Sequence, residues 1–196
     1  MALVFPILAG LILSLVVGGR LGRIADVRLR SAWLFYAGIA FNVAAFPFRE
    51  LPWRTPDRLA VGLWLVAYAF LAAGCGRNLR TPGVKLVTVG MASNLAAILA
   101  NGGHMPALPS ALRGAGLHFH VSRNSALAAG PHLSWLVDRW AAPAWVPLAN
   151  VYSVGDVLIS VGGFVFAFVA SGGWARLRSV VRGAGADTVE PPLAEL

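Results

Sequence analysis

Charge is scarce in this 196-residue chain: Asp, Glu, Lys and Arg together make up 12% of it, against 58% hydrophobic residues. With a mean hydropathy of +0.71, it lacks the polar residues needed to cover a water-soluble domain of this size, which indicates a membrane protein. The single cysteine, Cys75, excludes an internal disulfide and says little about compartment. Only 8 acidic residues oppose 16 basic ones, for a net charge of +8. The arginines sit mostly in short connections between apolar runs. The imbalance therefore points to orientation in a bilayer and to anionic headgroups, with no nucleic acid as partner. No internal repeat, nucleotide-binding glycine loop or low-complexity tract occurs, and no cofactor is expected.

What is present is a series of five apolar runs of about the ~20 residues that a hydrocarbon core of roughly 30 Å requires. They cover residues 2–19, 32–48, 59–76, 84–103 and 153–174. The first has no basic residue before its apolar stretch and no small-residue cleavage site after it, so it reads as a retained helix. Arg20, Arg23, Arg28 and Arg30 follow at once, a cluster that normally stays in the cytoplasm and leaves the N-terminus outside. Alternation from there puts ten basic residues in the inner connections and tail and six in the outer ones. The segment 182–196 is too polar to bury and is expected to be a disordered cytoplasmic tail behind a membrane domain of residues 1–181.

The outer loop, residues 104–152, differs from the other connections. It holds all four histidines and Trp135, Trp140 and Trp145. Its stretch "LSWLVDRWAAPAWVPL" is too short and too proline-broken to span, and the tryptophans spaced at fives predict a short helix lying at the outer interface. Asp138, inside this aromatic segment, is either paired with Arg139 or aimed at polar groups embedded in the membrane.

Those groups lie in the last two runs. Asn94 and Asn101 are two helical turns apart and predict one amide face on the fourth helix. Ser153, Asp156, Ser160 and Gly163 recur at threes and fours along the fifth. A carboxylate in hydrocarbon costs at least ~2.5 kcal/mol near a helix centre and less toward the interface, so the two stripes are expected to face each other. "NGGHMP" ends the fourth helix with glycines suited to a turn and delivers Asn101 and His104 to the surface where Asp156 begins the last span. The predicted polar cluster is Asn94, Asn101, His104, Asp138, Asp156 and Ser160. Such a network also serves simply to fasten helices together.

At these residues the chain resembles a family of bacterial multi-spanning membrane proteins of unknown function. The family is marked by an NGG-x-MP element, an aspartate in the outer loop and a Ser-x-Gly-Asp-x-x-Ile element. "NGGHMP", "LSWLVDRW" and "NVYSVGDVLISVGG" carry the likeness, together with "GGRLGRI" after the first run. The resemblance implies a bacterial plasma-membrane protein and brings no activity with it. A more local likeness is to lipoprotein signal peptidases, which pair an Asp-Arg step with an aspartate at the head of the last helix. Here Asp138-Arg139 precedes Asp156 by 18 residues, with Ile159 and Gly162 behind it. That resemblance implies Asp138 and Asp156 as a catalytic pair. The chain departs from the pattern in the position of Asn150, in lacking an asparagine ahead of Asp138, and in having five apolar runs where four are usual.

Two further readings complete the set. His118 and His120 suit two metal ligands on one strand face, with His132 or His104 to complete a set, although the spacing matches no recognised zinc pattern. Gly10, Ser14 and Gly18 at spacing four would let another helix approach closely, from this chain or from a second copy in a homo-oligomer. The sequence thus predicts an all-α integral membrane bundle of five transmembrane helices with one interfacial helix in a long outer loop. Its leading function is binding of a small ligand, lipid or partner at the outward-facing polar cluster, with transport as an extension. Intramembrane aspartyl hydrolysis is the alternative.

Overall fold

The apolar runs become helices, most of them ending where a glycine or a polar residue follows. The structure is a computed structural model that describes residues 4–46, 55–116, 125–127, 130–142 and 151–186. Its helices are α1 (Val4–Val16), α2 (Trp33–Ala45), α3 (Asp57–Arg77), α4 (Val84–Ala100), the short α5 (Pro109–Gly114), α6 (Val154–Ala170) and α7 (Gly173–Ala186). A 3-10 turn, Leu21–Asp26, follows α1. The fold is mostly helical, as expected.

The helix α6 packs between α4 and α1, and α2 packs along α3. Glycines set the distances. A Cβ on Gly90 would lie 2.5 Å from the Gly155 carbonyl oxygen, and one on Gly10 would lie 2.5 Å from that of Phe164. Small residues at such crossings let backbones approach and gain dispersion contacts, which matters most where no water is displaced. Gly10 is thus packed against α6 of the same chain, and Ser14 is fully buried. Between α2 and α3, Phe41 stacks on Phe70 with ring centroids 5.4 Å apart.

The outward faces are apolar. Ile12 and Val16 of α1, Tyr36 and Ile39 of α2, Val89 and Leu99 of α4 and Val157 of α6 are all exposed. Among the described residues, one helical stretch, Arg58–Arg77, is by itself long and apolar enough to cross a membrane, with 20 residues and a mean hydropathy of 1.9. α6 and α7 meet that test together but are bent by 67° at their break. α1, α2 and α4 are apolar helices of 13, 13 and 17 residues.

The bend divides what the sequence reads as one final run. Gly172 takes φ +87°, and the Ser171 hydroxyl turns back to the Ala167 carbonyl at 2.6 Å. α7 then carries the chain as helix through Ala186, into the segment expected to be an unfolded tail; residues 187–196 lie outside the described residues.

The outer loop departs most from expectation. It contains β1 (Met105–Ala107) paired in parallel with β2 (Ser125–Leu127), and β3 (Trp140–Ala141) antiparallel to β4 (Val151–Tyr152). Ala107 also bridges to Asp138. The interfacial helix expected around the tryptophans is not formed over residues 133–142; residues 143–148 lie outside the described residues. Leu133 sits at φ +51°, which a helix does not accept. The Asp138 and Arg139 N–H groups bond to Pro106 and Tyr152 carbonyls at 3.0 Å each, so this backbone belongs to a ladder. Trp135 and Trp140 remain exposed, as interfacial residues would be, while Leu136, Val137 and Asp138 are buried. The loop's one helix of the described residues is α5, which the sequence reading did not anticipate.

Candidate functional site

Asp156 enters the structure as part of a helix cap. Ser153, fully buried, is the N-cap of α6: its hydroxyl accepts the Asp156 N–H at 3.0 Å, and Asp156 Oδ2 accepts the Ser153 N–H at 3.1 Å. This reciprocal pair satisfies two backbone donors that a helix start otherwise leaves open. The cap then reaches across to α4. Ser153 Oγ donates to Asn94 Oδ1 at 2.7 Å, and Asn94 Nδ2 donates to Asp156 Oδ1 at 2.9 Å. Each end of the Asn94 amide thus meets a partner of opposite kind, which fixes its orientation. Asp156 is left with N–H donors on both oxygens.

This close ring depends on Gly155. A Cβ there would collide with Asn94 Oδ1 and Cγ and with the Gly90 carbonyl. From α3, the Tyr68 hydroxyl donates to the Met91 carbonyl at 2.9 Å, one turn before Asn94.

Asp138 is placed by backbone bonds. Its N–H donates to Pro106 O at 3.0 Å and its carbonyl accepts from Leu108 N–H at 2.9 Å. The residue is 8% exposed, and its carboxyl forms no hydrogen bond among the described residues. Burial in the first place, and the Asp156 charge in the second, push its proton affinity up to a pKa of about 7. Tyr152, at the head of α6, is pushed up by burial and then by the same charge. The two carboxyls differ in their partners: Asp156 accepts N–H donors on both oxygens, while Asp138 is buried and near enough for the Asp156 charge to raise its proton affinity.

The other predicted residues go elsewhere. Asn101 does not join Asn94. Its Nδ2 donates to Ala97 O at 2.7 Å and to His132 O at 2.9 Å, and its Oδ1 accepts from His132 N–H at 2.9 Å. It closes α4 and fastens the outer loop, because α4 ends there and the side chain no longer follows the helical face. His104 makes no polar contact with the pair among the described residues. Ser160 faces α1, lining an apolar slot of about 480 Å³ with Phe5, Tyr152 and Phe164. His118 and His120 lie outside the described residues, His132 is held through its backbone, and among the described residues no three metal-ligating side chains gather. Ser153 escaped the predicted site list, although the Ser-x-x-Asp spacing of a capping box was there to be read.

Fold and site together describe a mostly helical protein in which a buried loop aspartate, Asp138, feels the charge of Asp156 at the cap of α6. The chain belongs to a family of unknown function (DUF5317), whose model matches residues 26–168 and so takes in α2 to α6 and both aspartates. No curated protein and no solved structure matches the chain.

Proposed function

We propose that the protein is a multi-pass protein of the bacterial plasma membrane, N-terminus outside, that uses Asp138 and Asp156 at the outer surface for acid–base hydrolysis. Five apolar segments and a shell of exposed aliphatic and aromatic side chains support the membrane reading. The observation that carries the chemistry is Asp138, buried without a side-chain hydrogen bond among the described residues and raised to about 7 by that burial and by the Asp156 charge. Carboxyls whose environments push them apart divide into an acid and a base.

In this reading, water sits between them. Asp156 takes a proton from it as its oxygen bonds to a substrate carbonyl carbon, while the Asp138 proton passes to the carbonyl oxygen. Collapse of the tetrahedral species breaks the bond to the leaving group, which receives the proton from Asp156, and Asp138 recovers its own. The same pair is what the likeness to lipoprotein signal peptidases implies, and a membrane-anchored peptide is the matching substrate class.

The test uses the full chain in lipid nanodiscs and a membrane-anchored peptide whose scissile amide is replaced by a hydroxyl-bearing isostere, a mimic of the tetrahedral species. Stabilisation of the wild type but not of Asp138→Asn or Asp156→Asn supports the pair as the site. Equal stabilisation of all three overturns it. A second reading, lipid binding without chemistry, is favoured by the apolar slot between α1 and α6. It predicts lipid retention that survives both substitutions and no cleavage of any anchored peptide.

A further inference from the structure

At the end of the bundle opposite the carboxylate pair, the connection after α3 meets the strand-like segment before α2. The meeting point is Asn78, only 4% exposed. Its Oδ1 accepts the Arg30 N–H at 2.8 Å, and its Nδ2 donates to Arg30 O at 2.9 Å and to Gly74 O at 2.8 Å. One amide side chain thus pairs with both sides of the Arg30 residue and caps α3 at the same time. The connection is further tightened by successive turns, Asn78 N–H to Cys75 O at 2.9 Å and Thr81 N–H to Asn78 O at 2.8 Å. A loop that merely joined two helices would need none of this.

The consequence is a cavity of about 400 Å³ ringed by Arg28, Arg30, Arg77 and Arg80, with Asn78 and Thr81 contributing to its wall. Its size falls in the roughly 300–1,000 Å³ range of small-molecule sites. None of the four guanidinium groups forms an ion pair among the described residues. By contrast, Arg178 lies over the Trp174 ring at 5.0 Å and Arg139 over Trp140 at 5.8 Å. Four like charges around one hollow repel one another, and the buried Asn78 amide ties the Arg30 backbone to the end of α3, which carries Arg77 and is followed by Arg80. Such an arrangement is stabilised by an anion in the hollow. Guanidinium forks match a phosphate in a two-point geometry that a lone ammonium lacks.

We infer that this arginine cup binds a phosphate group, carried either by an anionic lipid headgroup or by a soluble phosphate ester. The positive-inside arrangement of arginines alone requires charge near the surface but no shared hollow, and it does not single out these four residues from Arg178 and Arg182 on α7.

That contrast is the experiment. The full chain is placed in phosphatidylcholine nanodiscs, and two probes are added separately: phosphatidylglycerol, followed as retained lipid by native mass spectrometry, and inorganic phosphate, followed by thermal shift. Arg77→Gln with Arg80→Gln, both exposed and so without cost to the fold, should weaken binding of the responding probe by roughly tenfold or more. Arg178→Gln with Arg182→Gln should leave it unchanged. A response to phosphatidylglycerol alone assigns the site to a headgroup, and a response to inorganic phosphate assigns it to a soluble ligand. Equal weakening in both double variants, or no response of the wild type to either probe, overturns the site.

Discussion

Asn94 of α4 donates to Asp156 of α6 at 2.9 Å and, through its carbonyl, accepts from the buried Ser153 hydroxyl that caps the same helix. One amide thereby joins two apolar helices and sets the position of a carboxylate that their apolar packing would otherwise disfavour. The link is directional. Asn94 cannot rotate without presenting its NH₂ to Ser153 and its oxygen to Asp156.

Removing that link should be costly. Asn94→Ala leaves the Ser153 hydroxyl and one Asp156 oxygen without their partner, a loss of about 1–3 kcal/mol, and should lower the thermal midpoint in detergent. Gly155→Ala, whose Cβ would collide with the same amide, should cost a similar ~1–3 kcal/mol by overpacking. Gly62→Ala, in the middle of α3 with open space around it, should hold or gain roughly 0.5–1 kcal/mol. An Asn94→Ala midpoint equal to that of the wild type would show that the link contributes nothing.

Asp138 makes stability depend on pH in a stated direction. Its pKa is raised from 3.8 to about 7, so between those values the folded chain holds a proton that the unfolded chain releases. This contribution favours the fold below the unfolded value, shrinks as pH rises through the window and is gone above about 7, a swing on the order of 2–4 kcal/mol. Thermal midpoints should fall from about pH 5 to about pH 8 in the wild type and stay flat in Asp138→Asn, which mimics the neutral form. A fall of the same size in both proteins would place the titration elsewhere.

Asn101 should act on the loop and not on the pair. Asn101→Ala removes both bonds to the His132 backbone and should speed proteolytic cleavage of the outer loop. The pH dependence assigned to Asp138 should remain. Unchanged cleavage would mean that the strands hold the loop without this clasp.

Orientation is open to direct labelling. In a Cys75→Ala background, Ser110→Cys in α5 should react with an impermeant thiol reagent on intact cells, and Ser179→Cys in α7 should react only after lysis; both positions are exposed. The reverse pattern would invert the topology and place the carboxylate pair on the inner side.

Much of this architecture could be read from residue order because the apolar runs are long and nearly unbroken. They located α1, α2, α3, α4 and α6, though not α7, and Asn94 and Asp156 stood out as polar groups inside them. Asn101 misled because helical spacing from Asn94 was extended past the point where Gly102 and Gly103, at φ +70° and +90°, end the helix. The tryptophan spacing misled as well. On a helix, residues five apart are turned by about 140° from one another and share no face, whereas they are free to stay exposed on a turn and a strand, and pairing with residues 106 and 152 is a distant choice that no local pattern records. Asn78 was silent for the same reason: its partner, Arg30, is 48 positions away and contributes only backbone.

Asp138 is held through its N–H to Pro106 and its carbonyl to Leu108, both main-chain contacts that are indifferent to whether the carboxyl carries a proton. Loading or unloading that proton therefore requires little reorganisation of the surrounding chain, and a site with low reorganisation loses little energy at each proton transfer. In the proposed hydrolysis, the small ladder in the outer loop would serve as a mount, holding the Asp138 α-carbon in place while its carboxyl changes charge state.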